Sequence, residues 1–311
     1  KIDINLFGQE LNPITYSICK SDFLITDEEP ENIKLGSTLT NDQHSNENRK
    51  FDYIISNPPF GVNWKSEKNK IINESKELGG RFSVGIPKVT DGSLLFLQHM
   101  ISKMETQGSR IGVVFNYSPL YSGDIGKGES NIRKYLIEKD LIETIVQLPD
   151  HLFFNTPITT FLWILNNKKE NKRKNKIQLI NGRDEFVLLR KRLNWKRKEL
   201  NEKNITKILK EYSEFKETET SKILDSDEFF VGKFKVNGSN LDKYSKFENI
   251  PLNKDILQTT KDLNIELTDL KPTEVGVEIN FEKYFYNYVK PTKTDDLLKL
   301  ISDLDDKILK L

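Results

Sequence analysis

Asn57-Pro58-Pro59-Phe60 is the segment of this sequence best equipped for chemistry. It directly follows a short apolar run, residues 51–56 (FDYIIS), which reads as a strand that the two prolines must end, because proline fixes φ and removes a backbone donor. In an open α/β sheet the carboxyl end of a strand is where ligands bind. The exocyclic amine of a nucleobase is a poor nucleophile, since its lone pair is delocalised into the ring. Groups that accept hydrogen bonds from the NH2 and hold its nitrogen in line with an electrophile therefore promote its alkylation. The Asn57 amide oxygen can accept one such bond, and the Pro58 carbonyl, aimed in advance by a fixed φ, can accept another. Phe60 offers a flat apolar face on which a base extruded from a duplex can stack. No charged general base is required. The plainer alternative is that Asn and Pro, both ordinary turn residues, only end the strand.

The elements that must position this turn are legible on either side of it. Residues 1–7 alternate apolar side chains at Ile2, Ile4 and Leu6 and read as an interior strand. Asn12-Pro13 then reads as a helix cap with proline in the first turn, carrying Ile14, Ile18 and Cys19 on one face. Residues 94–104 predict an apolar helix closed by Gly108, and residues 111–115 (IGVVF) a continuous buried strand. A Gly-rich loop, a helix near residues 130–138 and strands at 142–148 and 159–165 come next. This alternation predicts a doubly wound α/β sheet. Between the turn and the first of these helices, residues 61–91 carry Gly79, Gly80 and Gly85 and read either as a mobile lid, with Arg81 available to a phosphate, or as a surface loop without a task.

After about Asn166 the character changes. Residues 168–176 form a basic, Asn-rich connector, and residues 190–203 are basic and helix-prone, with Leu193 and Trp195 as apolar points. That run reads as a track for a DNA backbone or as a solvated helix face. Most of the chain beyond it reads as charged helix, with little strand signal outside residues 229–236. Leu297, Ile301, Leu304, Ile308 and Leu311 are spaced as a short heptad seam, suited to a partner helix or to packing within the chain.

Bulk composition narrows the classes. In 311 residues, 48 Lys and Arg nearly balance 47 Asp and Glu, so contact with a polyanion must use local patches and not the net charge of +1. A single cysteine, Cys19, rules out an internal disulfide framework and points to the cytoplasm, and His44, His99 and His151 have no metal-ligand spacing. No apolar run approaches the roughly 18 residues of a membrane span.

The tetrapeptide resembles the (Asp/Asn/Ser)-Pro-Pro-(Tyr/Phe) signature of amino-methyltransferases. With residues 7–13 (FGQELNP), 51–64 (FDYIISNPPFGVNW), 91–96 (DGSLLF) and 148–153 (LPDHLF), then Asn155-Thr156 and residues 164–166, the chain is similar over residues 1–240 to the modification subunit of Type I restriction systems, adenine-N6 DNA methyltransferases. The resemblance implies a partial, doubly wound class I S-adenosylmethionine-dependent methyltransferase sheet lacking its first strand. It implies a catalytic domain at residues 1–182 and a mainly helical C-terminal extension at 183–311. Asn57 and Pro58 take the amino-group acceptor roles, with Asn57 also beside the cofactor; Phe60 takes the stacking role; Glu10 takes that of the carboxylate on the cofactor's ribose hydroxyls. Ser37 occupies a position where many relatives carry an acidic residue toward the cofactor's adenine, and Pro157 replaces a frequent glycine and should stiffen its loop.

The same resemblance implies S-adenosylmethionine as the cofactor. The partners it implies are duplex DNA, a specificity subunit, through it a restriction subunit, and a second modification subunit, with no membrane. The Gly-rich loop after the family's first strand is missing from these residues, so the 311 residues by themselves are expected neither to bind the cofactor tightly nor to methylate DNA. The competing readings are a non-enzymatic remnant that keeps only partner or DNA contacts, and a methyltransferase acting on protein glutamine or ribosomal RNA.

Overall fold

The computed structural model describes residues 4–45, 49–237, 247–263, 265–286, 294 and 301. The chain divides into two compact units, Lys1–Phe281 and Glu282–Leu311, and the sheets and the candidate site belong to the first. Of the heptad positions only Ile301 is among the described residues, so the seam lies outside them.

The short strands β1 (Gly8–Glu10) and β2 (Ile33–Leu35) pair in parallel as a ladder of their own, joined by helix α1 (Pro13–Ile25). The main sheet takes β3 (Tyr53–Ser56), β4 (Arg110–Phe115), β5 (Ile142–Gln147), β6 (Phe161–Asn166), β7 (Lys176–Asn181) and, after the hairpin β8 (Val187–Leu193) and β9 (Lys196–Glu199), β10 (Ser221–Asp225). Its order is β10-β7-β5-β6-β4-β3. β3, β4, β5 and β7 run the same way, while β6 and β10 are antiparallel to their neighbours. Every residue of β5 is buried, as an interior strand covered on both faces requires.

Helix α2 (Lys68–Lys76) and helix α3 (Ser93–Ser102) lie between β3 and β4 in the chain, and α4 (Ser118–Tyr121) and α5 (Gly128–Glu138) between β4 and β5. α3 buries Leu94, Leu95, Leu97 and Met100, and α5 buries Ile132, Leu136 and Ile137. The alternation expected from hydrophobic patterning is therefore present, and no helix among the described residues is long and apolar enough to cross a membrane.

Two local expectations are corrected. Residues 4–7 lie in no strand, since none of the described strands pairs with them, and the ladder begins at Gly8; Ile4 is 67% exposed. Ile14 and Ile18 on α1 are exposed, and the helix buries no residue. Its cap is as expected, with Asn12 Oδ1 accepting from the amides of Ile14 and Thr15 at 2.9 and 3.3 Å.

Among the described residues beyond 182 the expectation of a mainly helical extension gives way to strand. Residues 190–193 and 196–199 belong to the β8–β9 hairpin, and among the described residues beyond 182 only Glu202–Glu214 (α6) is a long helix. β10 completes an edge of the main sheet, so the sheet itself runs past the boundary expected at 182. β11 (Phe230–Asn237) then pairs antiparallel with β12 (Phe247–Pro251), β13 (Glu266–Leu267) and β14 (Glu274–Val277), with α7 (Ile256–Asp262) after β12. This second sheet is tied to α5 through buried Arg133, whose Nε donates to the Val277 carbonyl at 2.7 Å. β11 is the strand signalled at residues 229–236, with buried Phe234 between Lys233 and Lys235; the shorter β12, β13 and β14 carried no such signal.

Candidate active site

β3 pairs with β4 along one edge, Tyr53 opposite Arg110 through Ser56 opposite Val113, and Pro58 and Pro59 stop the ladder one residue later. Its other edge meets no strand among the described residues; Tyr53 and Ile55 are 74% and 89% exposed. Across from that edge stands the end of β1. The two walls enclose a hollow of about 630 Å³ lined by Phe7, Glu10, Ile54, Asn57, Pro58 and Phe96, among others. Asn57 is exposed at its rim, and Pro58 is buried. Glu10, Asn57 and Pro58 are thus brought to one cavity. Phe60 is not: it is half-buried in the turn after them and does not line the hollow.

Glu10 is half-buried at the carboxyl end of β1, and its Oε1 accepts from the Asn12 amide at 2.6 Å, which leaves the second carboxylate oxygen for a ligand. β1 is held by side chains more than by its short ladder: Gln9 Nε2 donates to the Asn41 carbonyl at 2.7 Å and His44 Nε2 to that of Gly8 at 3.1 Å. The rings of Phe7, His44 and Phe51 pack together, Phe7 and Phe51 at 5.5 Å between centroids. Ser37 lines the same hollow. Its hydroxyl donates at 2.5 Å to Glu67, whose carboxylate also lines it. A carboxylate therefore does reach this region, from a residue 30 positions away, and no local pattern around Glu67 marks it in the sequence.

Residues 61–91 are neither an open loop nor a lid with a free cation. Trp64, Ile71 and Phe82 are buried against Leu39 and Leu95. Arg81 is fully engaged: it grips Glu74 with Nε and Nη2 at 2.5 and 2.7 Å, and donates to the carbonyls of Thr38 and Leu39 at 2.9 Å and to His99 Nδ1 at 2.8 Å. Beside it, Lys103 pairs with Asp42 at 2.5 Å. Arg81 and Lys103 fasten the β2 side of the hollow to α2 and α3.

Burial, reinforced by the Arg81 guanidinium, pushes the pKa of His99 down to about 4, with Lys103 acting in the same direction and Asp42 and Glu74 opposing. A histidine whose folded pKa lies below its unfolded value contributes stability that is complete above about pH 6.5 and is lost as pH falls through about 4. Acid should thus weaken the fold by up to about 3 kcal/mol through this group. Thermal unfolding at pH 7.5 and 4.5 should show a smaller acid-induced fall in Tm for His99→Asn than for the parent; an equal fall would dismiss the assignment.

The carboxyl ends of β3, β4 and β5 share one side of the sheet, because the three strands are mutually parallel. Tyr117, just after β4, packs on Tyr121 and Phe161 at 4.8 and 5.4 Å. After β5 comes loop 148–158, in which Phe154 is 52% exposed and the His151 amide donates to the Pro157 carbonyl at 3.2 Å.

The profile of the N-6 DNA Methylase family matches residues 1–249. The chain belongs to that family. Within it, the chain is 29% identical over 301 residues to the Type I restriction enzyme MpnII methylase subunit of Mycoplasma pneumoniae, covering 89% of this chain and 52% of that protein. It is 30% identical over 249 residues to the MjaVIII methylase subunit of Methanocaldococcus jannaschii, covering 76% and 41%. The crystal structure of a type I restriction-modification system methyltransferase subunit from Streptococcus thermophilus superposes with a TM-score of 0.62 at 25% identity, over 72% of this chain and 45% of that one. This member of the N-6 DNA methylase family spans about half the length, or less, of the curated relatives it matches.

Proposed function

We propose that this chain carries the target-amine side and part of the cofactor side of a Type I modification subunit, one that transfers a methyl group from S-adenosylmethionine to N6 of adenine in duplex DNA. The observation that carries the proposal is the placement of Asn57-Pro58 at the end of β3, on the rim of a hollow whose opposite wall ends in Glu10. The residues present fit such a cofactor. A volume of about 630 Å³ lies in the range of small-ligand sites, the walls are largely apolar, and Glu10 has a carboxylate oxygen to spare for a ribose diol.

When bound, S-adenosylmethionine supplies an electrophilic methyl group. Glu10 would hold the ribose, and Ser37 and Glu67, which line the same hollow, would offer a hydroxyl and a carboxylate to the cofactor's adenine. Asn57 Oδ1 and the Pro58 carbonyl would each accept a hydrogen bond from the target NH2, drawing its nitrogen out of conjugation and aiming it at the methyl carbon. Phe60, which does not line the hollow, would stack on the extruded base. The proton lost from nitrogen can pass to solvent at the exposed Asn57. In this reading a specificity subunit chooses the DNA site, as the relatives' names as Type I methylase subunits lead one to expect.

The test is methyl transfer from labelled S-adenosylmethionine by the full-length subunit assembled with its specificity partner. N6-methyladenine in duplex DNA is expected. Label in RNA, in protein or at cytosine would overturn the proposal. In the same protein, Glu10→Gln should weaken S-adenosylmethionine binding by about 10- to 100-fold in calorimetric titration, the range expected for losing a charged hydrogen-bond acceptor. Unchanged affinity would remove Glu10 from the site.

A further inference from the structure

The β8–β9 hairpin gathers positive charge that the chain as a whole lacks. Its residues Arg190, Lys191, Arg192, Lys196, Arg197 and Lys198 are balanced within the two strands only by Glu199, in a protein of net charge +1. The strands pair antiparallel, Leu193 opposite Lys196, around a tight turn in which Asn194 adopts φ 57°, a left-handed conformation that asparagine tolerates. Arg190, Lys191 and Arg192 are exposed and make no ion pair with any described residue, and Trp195 at the turn is 47% exposed.

The turn and β9 are fixed to the body of the protein, and the place where they dock is informative. The amides of Trp195 and Arg197 donate to the carbonyls of Phe154 and His151 at 3.2 and 2.9 Å. Lys198 pairs with Asp150 and lies 3.9 Å from the Phe186 ring centroid, and Lys196 lies 4.9 Å from that of Phe154. All of these anchors belong to loop 148–158 or to Phe186 just before β8. The loop comes directly after β5, whose carboxyl end is on the same side of the sheet as that of β3 and therefore as Asn57. The hairpin is thus a docked cationic ribbon on the side of the sheet that carries Asn57, with β6 and β4 between its anchoring strand and β3.

We infer that the β8–β9 hairpin is a DNA-backbone clamp, with Arg190, Lys191 and Arg192 on phosphates and the Trp195 indole against sugar or an unstacked base. The inference rests on the reading of the site as one acting on adenine in DNA. Exposed guanidinium and ammonium groups in a row match a phosphate chain and carry no base information, as suits a subunit that does not choose the sequence. An extruded nucleotide leaves its strand open on the same side of the sheet, where an aromatic side chain gains by stacking.

The test uses the full-length subunit in its assembled complex, with R190A/K191A/R192A as the variant and a non-cognate duplex as the probe across a salt series. Affinity is expected to fall about tenfold or more near 0.1 M salt, and the slope of log K against log salt to become shallower by about 2–3, one counterion equivalent per lost contact. S-adenosylmethionine affinity should be unchanged. An unaltered DNA affinity and slope would overturn the inference, as would a loss traced to failed assembly with the specificity subunit, which would make the ribbon a protein contact. A parent complex that binds DNA yet methylates none of it would instead defeat the site reading, and the salt slope would still report on the hairpin.

Discussion

Asn57→Ala in the full-length subunit is expected to lower kcat for methyl transfer by about 10²–10³, the usual loss when one preorganised polar contact to a developing charge is removed. Stability should hardly change, because the side chain is exposed on the rim of the hollow and supports no packing. The affinity for S-adenosylmethionine should change far less than kcat, since the proposed bond to the target NH2 strengthens only as the nitrogen rehybridises. Asn57→Asp, which keeps an acceptor oxygen in place, should retain more activity than the alanine variant. An alanine variant with more than about a third of parental turnover would show that the amide is only a turn residue.

Arg81→Ala should have the largest effect on the fold. The substitution strips Glu74 of its partner and leaves the carbonyls of Thr38 and Leu39 without their donor; the Arg81 side chain is only 15% exposed and that of Glu74 24%. Breaking one side of a buried, hydrogen-bonded ion pair costs about 3–5 kcal/mol. For a domain of this size that corresponds to a fall in Tm of about 6–15 °C. Because Ser37 and Thr38 line the hollow, S-adenosylmethionine binding should weaken as well. Arg81→Lys separates charge from geometry. A lysine can pair with Glu74 but cannot also reach both carbonyls and His99, so it should recover only part of the loss. A Tm within about 2 °C of the parent for the alanine variant would show that the clamp does not hold the wall.

The corrected expectations share a cause. The basic run around Trp195 has the composition of a solvated helix, and only pairing between Val187–Leu193 and Lys196–Glu199, docked on loop 148–158, makes it a ribbon. Arg81 looked like a free cation in a Gly-rich loop because its partners are Glu74, seven residues away, and Thr38, Leu39 and His99, 18 to 43 residues away. Glu67 was invisible for the same reason, since its tie to Ser37 spans 30 residues.

By itself the sequence determined the parts that depend on covalent geometry and short-range patterning. These are the strand ended by Pro58-Pro59, the helix opened by Asn12-Pro13, the buried apolar strands, their alternation with helices, and the presence of an amide, a proline carbonyl and an aromatic ring in one tetrapeptide. Tertiary structure alone decided that Glu10 faces Asn57 across a hollow while Phe60 does not line it, that side-chain contacts rather than a continuous ladder fasten β1 and β2 beside β3, and that a cationic ribbon docks on the loop after β5. Dihedral preferences and hydrophobic periodicity act within a few residues, whereas which polar groups meet across tens of residues is settled by the packing that brings them together.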